Sequence, residues 1–198
     1  MRLFLSAILL AGIAAAQEPT PQPAPRPETG TTTGGTQPVE AAASDPAVIE
    51  MLAKTYDGLT IDELEAIIKA DGYGYERLQS DGGPYIRTGT ASGVSYEVWL
   101  SECNQDPVPR CIGLTAQTLY FKESPKVTLK ALNDWNANTW GMRAMLYADG
   151  QSAMAMNVGV NGGVTGNWVI KRLRNFNYWA DAYSAFWTSG NPKAVPPE

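Results

Sequence analysis

Two cysteines, four clustered methionines and a scatter of carboxylates are the side chains in this sequence whose types could do chemistry. The 198 residues contain no histidine. Its absence excludes Ser-His-Asp triads, Cys-His dyads, imidazole acid–base steps and most zinc or copper centres. Cys103 and Cys111 are not spaced C-x-x-C, which disfavours a redox or thiolate metal pair. They bracket a loop, residues 104–110, that carries Pro107 and Pro109.

Met142, Met145, Met154 and Met156 could offer thioether sulfur to Cu(I). Pairing about Asp149-Gly150 as a two-residue turn sets Met145 opposite Met154, on the face of Met156, and sends Met142 to the other face. The four sulfurs then do not converge, and core filling is expected. Asp71, Asp81 and Asp149 occupy turn positions, while Asp62, Glu63 and Glu65 lie at a helix start, where the dipole favours them. There is no G-x-S-x-G, S-x-x-K or G-x-x-x-x-G-K-[ST] motif. We expect no catalytic residue, no metal and no cofactor. A pair of glycosidase carboxylates distant in sequence is the one catalytic arrangement this pattern leaves open.

Those residues need elements to position them. The chain opens with Arg2, an apolar run from Leu3 to Ala11 and small residues ending at Ala16, the pattern of a secretory signal peptide (1–16) cleaved near Ala16. Residues 17–45 follow, rich in proline and threonine, with Val39 their one large aliphatic side chain. Such a composition cannot bury enough apolar surface to offset its ordering entropy, and we expect a disordered tether. Residues 46–191 read as one domain and 192–198 as a frayed tail. The expected location is the periplasm or the extracellular space, where two cysteines form a disulfide. No later run is long and apolar enough to span a membrane. With 15 basic against 20 acidic residues the net charge is −5, which argues against nucleic acid as a partner.

Within the domain, Asp45-Pro46 opens a helix to about Lys54. Thr60-Ile61-Asp62-Glu63 is a capping box for a second, with Leu64, Ile67 and Ile68 on its buried face and Gly72 at its end. Strands are expected over 75–79, 85–90 and 94–101, the last alternating Val94, Tyr96, Val98 and Leu100 inward. Setting Cys103 opposite Cys111 places Leu100 against Leu114, Val98 against Ala116 and Tyr96 against Thr118. Ile112, Leu114 and Ala116 then share the apolar face, and a one-residue slip would break the agreement. Ser124-Pro125 is expected to open a helix to about Asn138 that buries Val127, Leu129, Leu132 and Trp135. Two strands flank Asp149-Gly150.

A last helix, capped by Thr165 and reaching about Thr188, carries Val169, Leu173, Phe176, Ala180, Tyr183 and Trp187 at helical spacing. The order of elements predicts an α+β fold: an antiparallel sheet of about five to six strands with helices mainly on one face. The last helix also bears a second stripe, Trp168, Trp179 and Phe186. Core is its first reading; left uncovered, it is the candidate partner-binding surface. Lys171, Arg172 and Arg174 read as a solvated charged face.

The residues from Leu59 to about Phe186 resemble the YbjN-like family of bacterial sensory-transduction regulators. The resemblance rests on four runs: Ala70-Asp71-Gly72-Tyr73; Val98-Trp99-Leu100-Ser101-Glu102-Cys103 with Cys111-Ile112-Gly113-Leu114; Leu132-Asn133-Asp134-Trp135-Asn136; and Arg143 to Gly150 followed by Gly162-Gly163-Val164. It implies a fold like that of type III secretion chaperones, which binds protein segments without catalysis, and it carries over no catalytic residue. The function expected is that of an exported, non-enzymatic binding protein of the cell envelope, chaperone-like or regulatory, taking a protein or peptide segment. The alternative is an envelope hydrolase or glycan-binding module built on surface aromatics, motivated by six tryptophans and nine tyrosines. The sequence does not state an oligomeric form.

Overall fold

Local signals set most of the element boundaries in the computed structural model, which describes residues 45–122, 124 and 126–191. The expected signal peptide, the tail and all of the tether but Asp45 lie outside those residues. In chain order the elements are α1 (Pro46–Ala53), β1 (Thr55–Tyr56), α2 (Ile61–Ala70), β2 (Tyr75–Ser80), β3 (Gly83–Gly89), β4 (Ser95–Cys103) and β5 (Cys111–Thr118). Then come α3 (Leu129–Asn138), β6 (Met142–Leu146), β7 (Ser152–Gly159), β8 (Val164–Thr165) and α4 (Gly166–Ser189).

Asp45 accepts the Ala47 N–H at 2.9 Å and starts α1 with proline at its first position. Thr60 and Glu63 form both halves of the capping box on α2, whose buried side chains are Leu64, Ile67 and Ile68. At α4, Thr165 accepts from Trp168 N–H, and Gly190 closes the helix in the left-handed region at φ 73°. A side chain there would suffer steric strain and would also meet the Lys126 backbone.

Six strands form one antiparallel sheet in the order β2-β3-β4-β5-β7-β6, and β1 pairs with β8 in a separate two-stranded ribbon. The fold is α+β, as expected. The register runs Ile86, Val98, Ala116, Met156, Met142 straight across five strands. All five are buried in the core that α2, α3 and α4 cover. The pleat sends alternate residues to the opposite face. There the row Leu78, Tyr85, Trp99, Thr115, Asn157 runs outside that core cluster.

Three expectations are corrected. The third helix starts at Leu129 with Thr128 as N-cap, because the Thr128 hydroxyl takes the Ala131 N–H. Leu129 is consequently on the outer side of the first turn and exposed, not buried. Ile112 is also exposed: it shares the apolar face of Leu114 and Ala116 but lies at the end of the β4–β5 pair, next to the Cys103–Cys111 pairing.

The β6–β7 register is one residue away from that of a two-residue turn. Tyr147 N–H bonds Gln151 C=O, Gly150 N–H bonds Tyr147 C=O, and Gly150 alone of the turn residues has positive φ, at 78°. This is a type I turn followed by a left-handed glycine, which inserts a third loop residue. Met142 therefore pairs with Met156 and joins Met154 inside, while Met145 pairs with Ala153 and leaves the core face. The buried methionines fill core.

Candidate functional site

Cys103 and Cys111 form a disulfide at the end of the β4–β5 pair. The bridged loop carries Arg110, which reaches back to α2. Its guanidinium donates to Gly58 C=O at 2.7 Å and to Glu63 at 3.0 Å. Burial alone would raise the Glu63 carboxyl. The Thr60 N–H, Arg110 and Lys54 outweigh it and hold the group below its ordinary value. One carboxylate thus caps a helix and anchors a disulfide-bonded loop.

The second stripe of α4 is covered. Phe186 has no exposure and Trp179 is 9% exposed. Trp135, from α3, stacks on Phe186 at 4.9 Å and meets Trp179 edge-on at 6.0 Å. Assigning Phe186 and Trp179 to partner binding is corrected by this packing: two helices each present an aromatic side and close on one another. Trp168 is half-buried, with the Arg172 guanidinium over its ring at 5.0 Å. Lys171, Arg172 and Arg174 are exposed, as expected of a solvated face, and Arg174 also pairs with buried Asp71 at 2.5 Å. Burial raises the Asp71 carboxyl despite that partner.

Asn136 from the third resemblance run has a definite task. It donates to Ala144 C=O at 3.1 Å and accepts Ala144 N–H at 2.7 Å. Strand β6 lies at the sheet edge, where outward backbone groups would otherwise invite another strand.

Two uncovered surfaces remain that sequence reasoning did not locate. One is a groove of about 760 Å³ between α1 and α2. Ala47, Met51 and Ala66 supply apolar lining, and Glu50, Asp62 and Glu63 lie on the rim, Asp62 paired with Arg77 and Glu63 with Lys54 and Arg110. Helix α1 is apolar at seven of its eight positions, yet none of its residues is fully buried and Ile49 is 53% exposed. The other is the bare sheet face, with half-buried Leu78, Tyr85 and Trp99 in register. Trp140, at 95% exposure, is a further aromatic that no sequence pattern singles out.

Residues 60–185 match the family model of YbjN, described as "putative bacterial sensory transduction regulator". The chain belongs to the YbjN family. Among solved structures, the YbjN domain is similar to one described as "Crystal structure of YbjN, a putative transcription regulator from E. coli". That likeness has 14% sequence identity and a TM-score of 0.42, and covers 68% of this chain and 84% of that one. No curated protein matches. The YbjN match spans α2 through most of α4 and leaves α1 outside it. Among the described residues of this YbjN-family chain, no helix is long and apolar enough to cross a membrane.

Proposed function

We propose that the protein is exported and works in the cell envelope as a non-catalytic regulatory binding module. The α1–α2 groove receives a segment of a partner protein that carries apolar anchors beside basic residues. The observation that carries this reading is α1 itself. A helix with a single charged residue, Glu50, normally hides most of its surface, and this one hides none of its residues fully. Exposed Ala47 and half-exposed Met51 line the groove beside Glu50, whose carboxylate has no ion pair among the described residues and complements a positively charged segment. The regulatory description of the family supports a role through association rather than turnover. Export is supported by the residues before Ala16 and by the disulfide, which persists in oxidising compartments.

A photo-crosslinking side chain at position 47, an exposed position in the groove lining, in the full chain expressed in its native host, tests this directly. The expected result is one dominant adduct in the envelope fraction that disappears in Met51→Glu, with the mature chain beginning near Gln17. Adducts that are unchanged by Met51→Glu overturn the groove assignment. A cytoplasmic, full-length chain overturns export.

A further inference from the structure

We propose that the bare face of the six-stranded sheet carries a second site, for a neutral oligosaccharide. At the disulfide end of that face Ser101, Gly113 and Gly159 lie in one register row across β4, β5 and β7. With strands about 4.8 Å apart the row spans about 10 Å, the length of a disaccharide. The glycines make it a trench of about 380 Å³ rather than a ridge. A Cβ on Gly113 would collide with the Ser101 hydroxyl, and one on Gly159 would sit 2.9 Å from the Asn161 side-chain oxygen. Each polar atom occupies the space its glycine vacates, so hydroxyl and amide lie along the trench floor.

The next row is Trp99, Thr115 and Asn157. Thr115 donates its hydroxyl to Asn157 at 2.6 Å, which fixes the amide's orientation on an otherwise exposed side chain. Trp99 is half-buried, with its indole on the same face one row from the trench. A flat apolar ring beside a hydroxyl and an oriented amide, with Glu102 also in the lining, matches a sugar, which has a C–H face and an edge of hydroxyls.

Charge selects among ligands. The trench lining includes no cation, so nothing there neutralises a phosphate, sulfate or acidic peptide. Along the face, Arg87 is paired with Glu97 at 2.8 Å. Glu102 is the one charged lining residue, and no ion pair involves it among the described residues. It is also the one non-glycine described residue at positive φ, 55°. A carboxylate accepts from sugar hydroxyls two at a time, which is the use this arrangement has for it.

The test titrates the oxidised full chain with tri-N-acetylchitotriose, cellotriose and maltotriose, following backbone amide shifts and tryptophan fluorescence. The expected result is millimolar binding of at least one trisaccharide that moves the Gly113 and Gly159 amides. Trp99→Ala should weaken it about tenfold, the loss expected for one stacked ring. Glu102→Gly should weaken binding while raising the melting temperature, because glycine relieves the positive φ; a purely structural role for Glu102 would not separate the two readouts. Asn157→Ala, at an exposed position, serves if Trp99→Ala fails to fold. Amides unmoved by all three sugars at tens of millimolar overturn the site. So does binding indifferent to Glu102→Gly and Asn157→Ala, or an extended peptide that moves the same amides where sugars do not.

Discussion

Replacing Trp135 by alanine should cost about 3–5 kcal/mol, the range for removing a large aromatic from a packed core. The side chain has no exposure, and three rings close around it: Phe186 at 4.9 Å, Tyr183 at 5.2 Å and Trp179 at 6.0 Å. Each ring pair is worth about 0.5–1.5 kcal/mol beyond area burial, so the three together contribute about 1.5–4.5 kcal/mol. One contribution runs the other way. The Trp135 indole N–H is buried with no hydrogen-bond partner among the described residues. Such a group destabilises by about 1–3 kcal/mol. Trp135→Phe removes that cost while keeping a ring against Phe186, and it should lie within about 1 kcal/mol of the parent. Urea unfolding followed by far-UV dichroism measures both variants, and a thermal scan should place Trp135→Ala about 6–20 °C below the parent. A loss under about 1 kcal/mol for Trp135→Ala, or equal losses for both variants, would refute the claim that α3 and α4 are held together by this aromatic contact.

Three further outcomes follow from the same geometry. Cys103→Ala/Cys111→Ala should lower stability by about 2.5 kcal/mol, the chain-entropy value for a sequence separation of 8, and comparison with reduced wild type checks it. Asn136→Ala leaves the Ala144 N–H and C=O without their partner; it should cost about 1–3 kcal/mol and produce concentration-dependent association on a sizing column. Glu63→Gln should reveal a pH window. The folded-state pKa is lowered from 4.5, so this carboxylate's stabilisation is present above that value and is lost as pH falls through the folded one. The stability gap between parent and variant should close in acid, and a constant gap down to pH 3 would contradict it.

The legible parts of this fold are those where short-range chemistry and periodicity agree. Thr60 and Glu63 announce α2, and the cysteines and the apolar alternation select one β4–β5 register independently. The β6–β7 register was not legible, because Asp149-Gly150 suits two turn geometries that differ by one loop residue and only the burial of Met142 in the core separates them. The covering of Trp179 and Phe186 was half legible: the α4 stripe is periodic, but its partner Trp135 lies on a helix whose start Thr128 sets rather than Ser124. The bare-face trench could be approached only through the outward positions Trp99 and Ser101 of β4. The role of the glycines emerges once three strands are placed side by side. Nothing local marks the outer side of α1 as exposed, since an apolar octapeptide reads as core and Met51 and Leu52 do pack against it.

The strand order has a consequence for how the chain assembles. Strands β2 to β5 form a meander whose neighbours follow one another in sequence, while β7 must insert beside β5 before β6 can take the edge. The residues joined across β5 and β7 lie roughly forty apart along the chain, and closing that loop costs entropy before any contact offsets it. Until it closes, β5 is itself an edge, with Leu114, Ala116 and Thr118 facing water. The β5–β7 pairing is therefore the entropically costly, non-local step of sheet assembly, whereas the Cys103–Cys111 bridge closes entirely within the meander and does not depend on it.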